Sequence, residues 1–106
     1  TAAGVQTGKL PKDLRAPRDL IGVRFQGTYS DPAHPGCTRR ITLAGRNAII
    51  TGADEDGKPW KVAAVPQGDK ILVDFSPKGG PADVVGQWLG TGGIKFPDGN
   101  VWAKLN

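Results

Sequence analysis

Hydrophobic and polar residues alternate along most of this chain. Val23, Phe25 and Tyr29 interleave with Arg24, Gln26 and Thr28, and Ile41 and Leu43 with Arg40 and Thr42. Ile71, Val73 and Phe75 alternate with Leu72 and Asp74, and Val101, Ala103 and Leu105 with Trp102 and Lys104. A period of two sends successive side chains to opposite faces, so each run predicts a half-buried strand. Clusters of Gly, Pro and Asp interrupt the runs at short intervals, which predicts an antiparallel meander. Strands are expected near 22–29, 38–44, 47–53, 59–65, 70–76, 85–90, 93–97 and 101–105. A single helical turn is expected after Pro81, over Ala82, Asp83 and Val84, because proline suits the first helical position.

One strand–turn–strand unit occurs twice with tryptophan in the same place. The first copy runs from Ala48 to Val62 through Asp56-Gly57-Lys58-Pro59-Trp60. The second runs from Gly93 to Leu105 through Asp98-Gly99-Asn100-Val101-Trp102. Glycine accepts the positive φ of a tight turn, so Asp-Gly between two apolar runs predicts a hairpin. The fold class expected is all-β: a meander of about eight short strands forming a curled sheet or small barrel, with an extended N-terminal arm. The strands are short and the core small, so a filled barrel is expected rather than a roomy, lipocalin-like carrier.

The chain of 106 residues is long enough for one domain. Sixteen glycines and nine prolines, without a collagen period, read as many turns. The longest apolar runs are on the scale of Val62-Ala63-Ala64-Val65, far short of the roughly 20 residues a membrane-spanning helix needs. Methionine is absent and the sequence opens Thr1-Ala2-Ala3, from which removal of an N-terminal piece is expected. Cys37 is the single cysteine, which excludes an intrachain disulfide and the disulfide-stapled class of small secreted domains.

Charge divides the chain into two regions. Residues 1–46 carry eight Lys/Arg against three Asp, whereas residues 47–106 carry six Lys against seven acids. The asymmetry points either to an acidic partner surface met by the first half or to a solvated face. Residues 1–21 form a separate arm with a short tandem, Pro11-Lys12-Asp13-Leu14 and Pro17-Arg18-Asp19-Leu20. Proline limits it to single helical turns. Leu10, Leu14 and Leu20 would seat the arm in shallow grooves, with Lys9, Lys12, Arg15 and Arg18 exposed. It then either covers an open edge of its own sheet or docks on another protein, and these seven residues are the candidate partner-binding set. The β domain is expected over 22–106.

Candidate chemistry is sparse. Asp31-Pro32-Ala33-His34-Pro35-Gly36-Cys37 gathers the single His, the single Cys and an acid. Zinc takes three or four protein ligands, so this trio alone does not make a site and no metal or cofactor is expected. A Cys–His nucleophile pair here has no accompanying oxyanion framework. The alternative is a turn opened by Asp31 and Pro32, capped by His34, with Cys37 as a small buried group starting the next strand. Trp60 and Trp102 read as core pillars. The other reading is an exposed aromatic face of Tyr29, Trp88 and Trp102 that binds a partner or a sugar. The basic residues are not interleaved with aromatics, so nucleic acid is not an expected partner. Gly79-Gly80-Pro81-Ala82-Asp83 and Gly90-Thr91-Gly92-Gly93 lack a phosphate-binding fingerprint and read as turns.

Three stretches resemble motifs of a family of small β-domain proteins from algae and other plastid-bearing organisms. They are Gly27-Thr28-Tyr29-Ser30-Asp31-Pro32-Ala33-His34-Pro35-Gly36-Cys37, Val73 through Pro81 (Val-Asp-Phe-Ser-Pro-Lys-Gly-Gly-Pro), and Ile94 through Trp102 (Ile-Lys-Phe-Pro-Asp-Gly-Asn-Val-Trp). The likeness spans residues 22–105. It implies a plastid-targeted, lumenal protein and brings no catalytic residues with it. Gly86-Gln87-Trp88 through Asp98-Gly99 also resembles a MORN repeat, but departs in having Trp102 where Tyr is usual and in lacking regular copies. The expectation is a non-catalytic accessory subunit of a larger assembly, in the thylakoid lumen as an extrinsic photosystem subunit attached to the membrane through its protein partners. The rival is a free-standing module for a carbohydrate or small ligand, secreted or periplasmic; a third reading is an enzyme using Asp31, His34 and Cys37.

Overall fold

The computed structural model describes residues 22–105. Eight antiparallel strands are present among them: β1 (Gly27–Ser30), β2 (Arg39–Ala44), β3 (Asn47–Ala53), β4 (Pro59–Gln67), β5 (Lys70–Asp74), β6 (Val84–Leu89), β7 (Gly93–Lys95) and β8 (Val101–Lys104). Each pairs with the next, and β8 returns to β1 through Tyr29↔Lys104 and Ser30↔Ala103, which closes the barrel. Closure leaves no sheet edge for an arm to cover. The basic residues and leucines of the arm (Lys9, Leu10, Lys12, Leu14, Arg15, Arg18 and Leu20) lie outside the described residues.

Alternation fixes which side chains enter the barrel. Tyr29, Ile41, Ile50, Val62, Ile71, Val73, Ile94 and Trp102 point inward and are buried. Gly86 faces Ile71 across the β5–β6 pair, and a Cβ there would come within 2.6 Å of an Ile94 methyl and 3.1 Å of Ile71 and Phe96. That glycine lets Ile71 of β5, Ile94 of β7 and Phe96 just beyond it meet at the axis. Both Asp-Gly hairpins have one construction. Gly57 N–H donates to the Asp54 carbonyl and Gly99 N–H to that of Phe96, each at 2.9 Å, while the Asp56 and Asp98 carboxylates accept from the second following backbone N–H. The glycines have φ of +75° and +91°, a region strained for other residues.

Two local expectations are corrected. Val23–Phe25 is a 3-10 turn and not the start of the first strand. It carries Phe25 fully into the core, edge-on to Trp88 at 5.5 Å, and the Tyr29 hydroxyl ties it down by donating to the Phe25 carbonyl at 2.7 Å. Three alternating residues do not distinguish a strand from such a plug. The second 3-10 turn is Ser76–Lys78, not the segment after Pro81. Its start is fixed by the Asp74 carboxylate, which accepts from Ser76 N–H at 2.9 Å, and its end by Gly79 at φ +88°.

The barrel is lopsided along its axis. Connections 45–46, 68–69 and 90–92 are short and share the end plugged by Phe25 and Trp88. Connections 31–38, 54–58, 75–83 and 96–100 share the other end and are longer. Binding loops concentrate where a rigid scaffold presents long connections. In Gly86→Ala, the added methyl overpacks the axis, and a loss of about 1–3 kcal/mol is expected in urea denaturation, with the far-ultraviolet circular dichroism unchanged.

Candidate functional site

The long-loop end is organised around Arg39, the first residue of β2. It shares the inward face with Ile41 and is 1% exposed. Its guanidinium donates to the Asp54 carboxylate at 2.7 Å and to the carbonyls of Ala53 at 3.2 Å and Cys37 at 3.3 Å. Its Nε lies 3.3 Å from an Asp31 carboxylate oxygen, an ion-pair distance without hydrogen-bond alignment. The two repeat-equivalent tryptophans flank the cation, with Trp60 5.1 Å and Trp102 5.9 Å from it by ring centroid. A buried charge is tolerated only with such pairing, and an aromatic face adds attraction in a dry setting.

Asp54 gathers the other partners. One oxygen accepts from Arg39 and from the Trp60 indole at 3.2 Å, and the other from Lys78 at 2.9 Å. Lys78 also sits 4.4 Å over Trp60. Burial raises the Asp54 pKa, but the hydrogen bonds from Lys78, Arg39 and Trp60 outweigh it and hold the carboxyl far below its ordinary range. Asp31 behaves alike. Burial opposes its ionisation, yet donation from the Asn100 amide and Ala33 N–H, each at 2.9 Å, and the Arg39 charge hold its pKa down. All four long connections therefore meet on one cation, directly or through these two carboxylates.

Above this network lies a cavity of about 450 Å³. Its apolar wall is built from Phe75, Phe96 and Trp102, mutually edge-on at centroid distances of 4.8–6.1 Å, with Val84 and Pro97. Asp83 and Asp98 are exposed at its rim. The volume lies within the range of small-molecule sites. The barrel interior is filled by its buried core, as the short strands predicted, and the cavity lies above it among the long connections.

The sequence candidates fall into three groups. Asp31, His34 and Cys37 do share a turn, closed by His34 N–H on the Asp31 carbonyl and Cys37 N–H on the His34 carbonyl, each at 3.0 Å. They do not share a chemical site. The His34 ring meets Glu55 at 2.7 Å, Asp31 turns to Arg39, and Cys37, half-buried, contributes its carbonyl. No group of three or more metal-ligating side chains occurs among the described residues. Tyr29 and Trp102 are buried, at 0% and 4% exposure, which overturns the exposed aromatic face; burial also pushes the Tyr29 phenol upward in pKa. Trp88 is half-buried against Phe25 at the opposite end.

Arg39 and Asp54 were missed. The signal for Arg39 was its parity, because it occupies the same face as Ile41 and Leu43 whereas Arg40 does not. Comparison with family models, with curated proteins and with solved structures gives no match for this chain.

Two outcomes follow for the network. Arg39→Met strands two carboxylates at the mouth and is expected to cost about 3–5 kcal/mol in urea denaturation; Arg39→Lys, lacking the planar fork, should not restore it. Asp31 and Asp54 have folded-state pKa values below their unfolded ones. Their stabilisation is therefore complete above the ordinary carboxyl value of 3.8 and is lost as pH falls below it toward the folded values. Asp54→Asn should be less stable near neutrality and lose less on acidification, read from urea midpoints taken between about pH 7 and pH 2.

Proposed function

We propose that the protein is a non-catalytic accessory subunit of a larger protein assembly, attached by the outer wall of β3–β6 to an acidic, partly apolar partner surface. The observation that carries this reading is a row of outward apolar residues. Ile49 stands opposite Ala63, and Val65 opposite Leu72, which stands opposite Val85; Ala63 and Val65 share one face of β4. Ile49 and Val85 are 36% and 43% exposed. Arg40, Thr51 and Lys61 border the row in register on one side and Lys70 on the other, with Asp74 opposite Ala63. Apolar patches edged by polar residues suit protein contacts, and the positive rim selects an acidic partner.

The basic first half of the chain supports the same partner chemistry. No helix among the described residues is long and apolar enough to cross a membrane, which accords with attachment through protein subunits. The motif resemblance directs the assembly to the lumenal side of a photosynthetic membrane, as a peripheral photosystem subunit. A second reading, a module for a small ligand, is favoured by the cavity at the long-loop end.

Native fractionation of source membranes through a graded salt wash tests the proposal. The chain should co-migrate with a large complex and be released as salt screens the basic rim. Ile49→Glu combined with Val85→Glu should abolish rebinding to washed membranes while leaving the thermal midpoint of the free protein within about 3 °C, because both positions already face solvent. Migration at 11.1 kDa before any wash would refute the assignment.

A further inference from the structure

We propose that the cavity at the long-loop end binds a small organic cation, an ammonium head carried on a flat apolar body. This inference deepens the small-ligand reading by naming the ligand class. Two independent observations carry it: the nature of the wall, and the balance of charge left over for a ligand.

One side of the cavity is aromatic. Phe75, Phe96 and Trp102 stand edge to face around the hollow. The Phe rings carry negative potential on their faces, which attracts a cation most strongly where water is excluded; Trp102 closes the wall beside Arg39. An aryl or alkyl body of about six to ten heavy atoms fits a volume of about 450 Å³ with room for its head.

The cations of the lining are already engaged. Arg39 is buried beneath Asp31 and bound to Asp54. Lys78 is bound to Asp54 and lies on Trp60. The His34 ring is turned to Glu55. The carboxylates of Asp83 and Asp98 remain exposed at the rim, and Asp98 engages its own turn through one oxygen on the Asn100 N–H. The described residues at the rim therefore present negative charge, although the whole chain carries a formal charge of +4. Among the described residues, an anionic ligand would meet the exposed Asp83 and Asp98 carboxylates, with the lining cations already engaged.

Benzylammonium, benzyl alcohol and benzoate test the proposal, since they share a ring and differ in the charge of the head. Binding is followed by two-dimensional NMR on the folded protein, using the Trp102 indole N–H and the backbone amides of Phe75 and Phe96. Benzylammonium should bind about ten-fold more tightly than benzyl alcohol at low salt, with benzoate weakest. In Asp83→Asn/Asp98→Asn, which keeps an acceptor for the Asn100 N–H, the preference should fall to about three-fold while benzyl alcohol binding stays unchanged. Benzyl alcohol or benzoate binding as tightly as benzylammonium would keep the ligand site and overturn the cationic class. The absence of shifts at Trp102, Phe75 and Phe96 with all three probes would overturn the ligand reading itself.

Discussion

The structure depends on burying one guanidinium. Arg39 takes an inward position on β2 where the neighbouring inward residues are aliphatic, so its charge is drawn out of water at the top of the barrel. Desolvation of that size is tolerated only if each face of the group finds a partner. The partners come from every long connection. Asp31 and the Cys37 carbonyl belong to 31–38, Asp54 to 54–58, Lys78 to 75–83, and Asn100, which holds Asp31, to 96–100. Four loops that would otherwise move independently are thereby joined.

That junction decides how the barrel is filled. At the short-loop end, Phe25 and Trp88 close the interior with aromatic surface. At the other end the same closure is performed lower down, by Arg39 between Trp60 and Trp102. The loops above converge on this layer through Asp31 and Asp54. A cavity with an aromatic wall lies among these loops. Pre-formed concavity of this kind lowers the ordering cost of binding.

The two surfaces with functional character are separate. The apolar row lies on the outer wall of β3–β6 and carries a basic rim, whereas the mouth of the barrel carries an acidic one. Because outward and inward residues alternate along each strand, one strand can serve both surfaces without compromise. The proposed attachment by the outer wall would leave the mouth open, so the assembly and ligand proposals are compatible in one molecule of this size.

The strands, the two Asp-Gly hairpins and the equivalent placement of Trp60 and Trp102 were legible in the sequence, because alternation and turn chemistry are local properties. Even the inward position of Arg39 was encoded in its parity with Ile41. What local pattern could not decide was closure of β8 on β1, which sets the curvature and hence the interior volume. Nor could it show that Lys78 reaches, across 24 residues, the Asp54 carboxylate that holds the buried Arg39. The segment at Val23–Phe25 and the choice between Pro77 and Pro81 went the same way: short signals fit either local answer, and only packing selected one. The sequence determined the elements and, for most strands, the face turned inward, but at β8 Trp102 enters the core while Ala103 and Leu105 are exposed. The tertiary structure decided which charges meet and where space is left over, since both depend on distances between residues far apart in the chain.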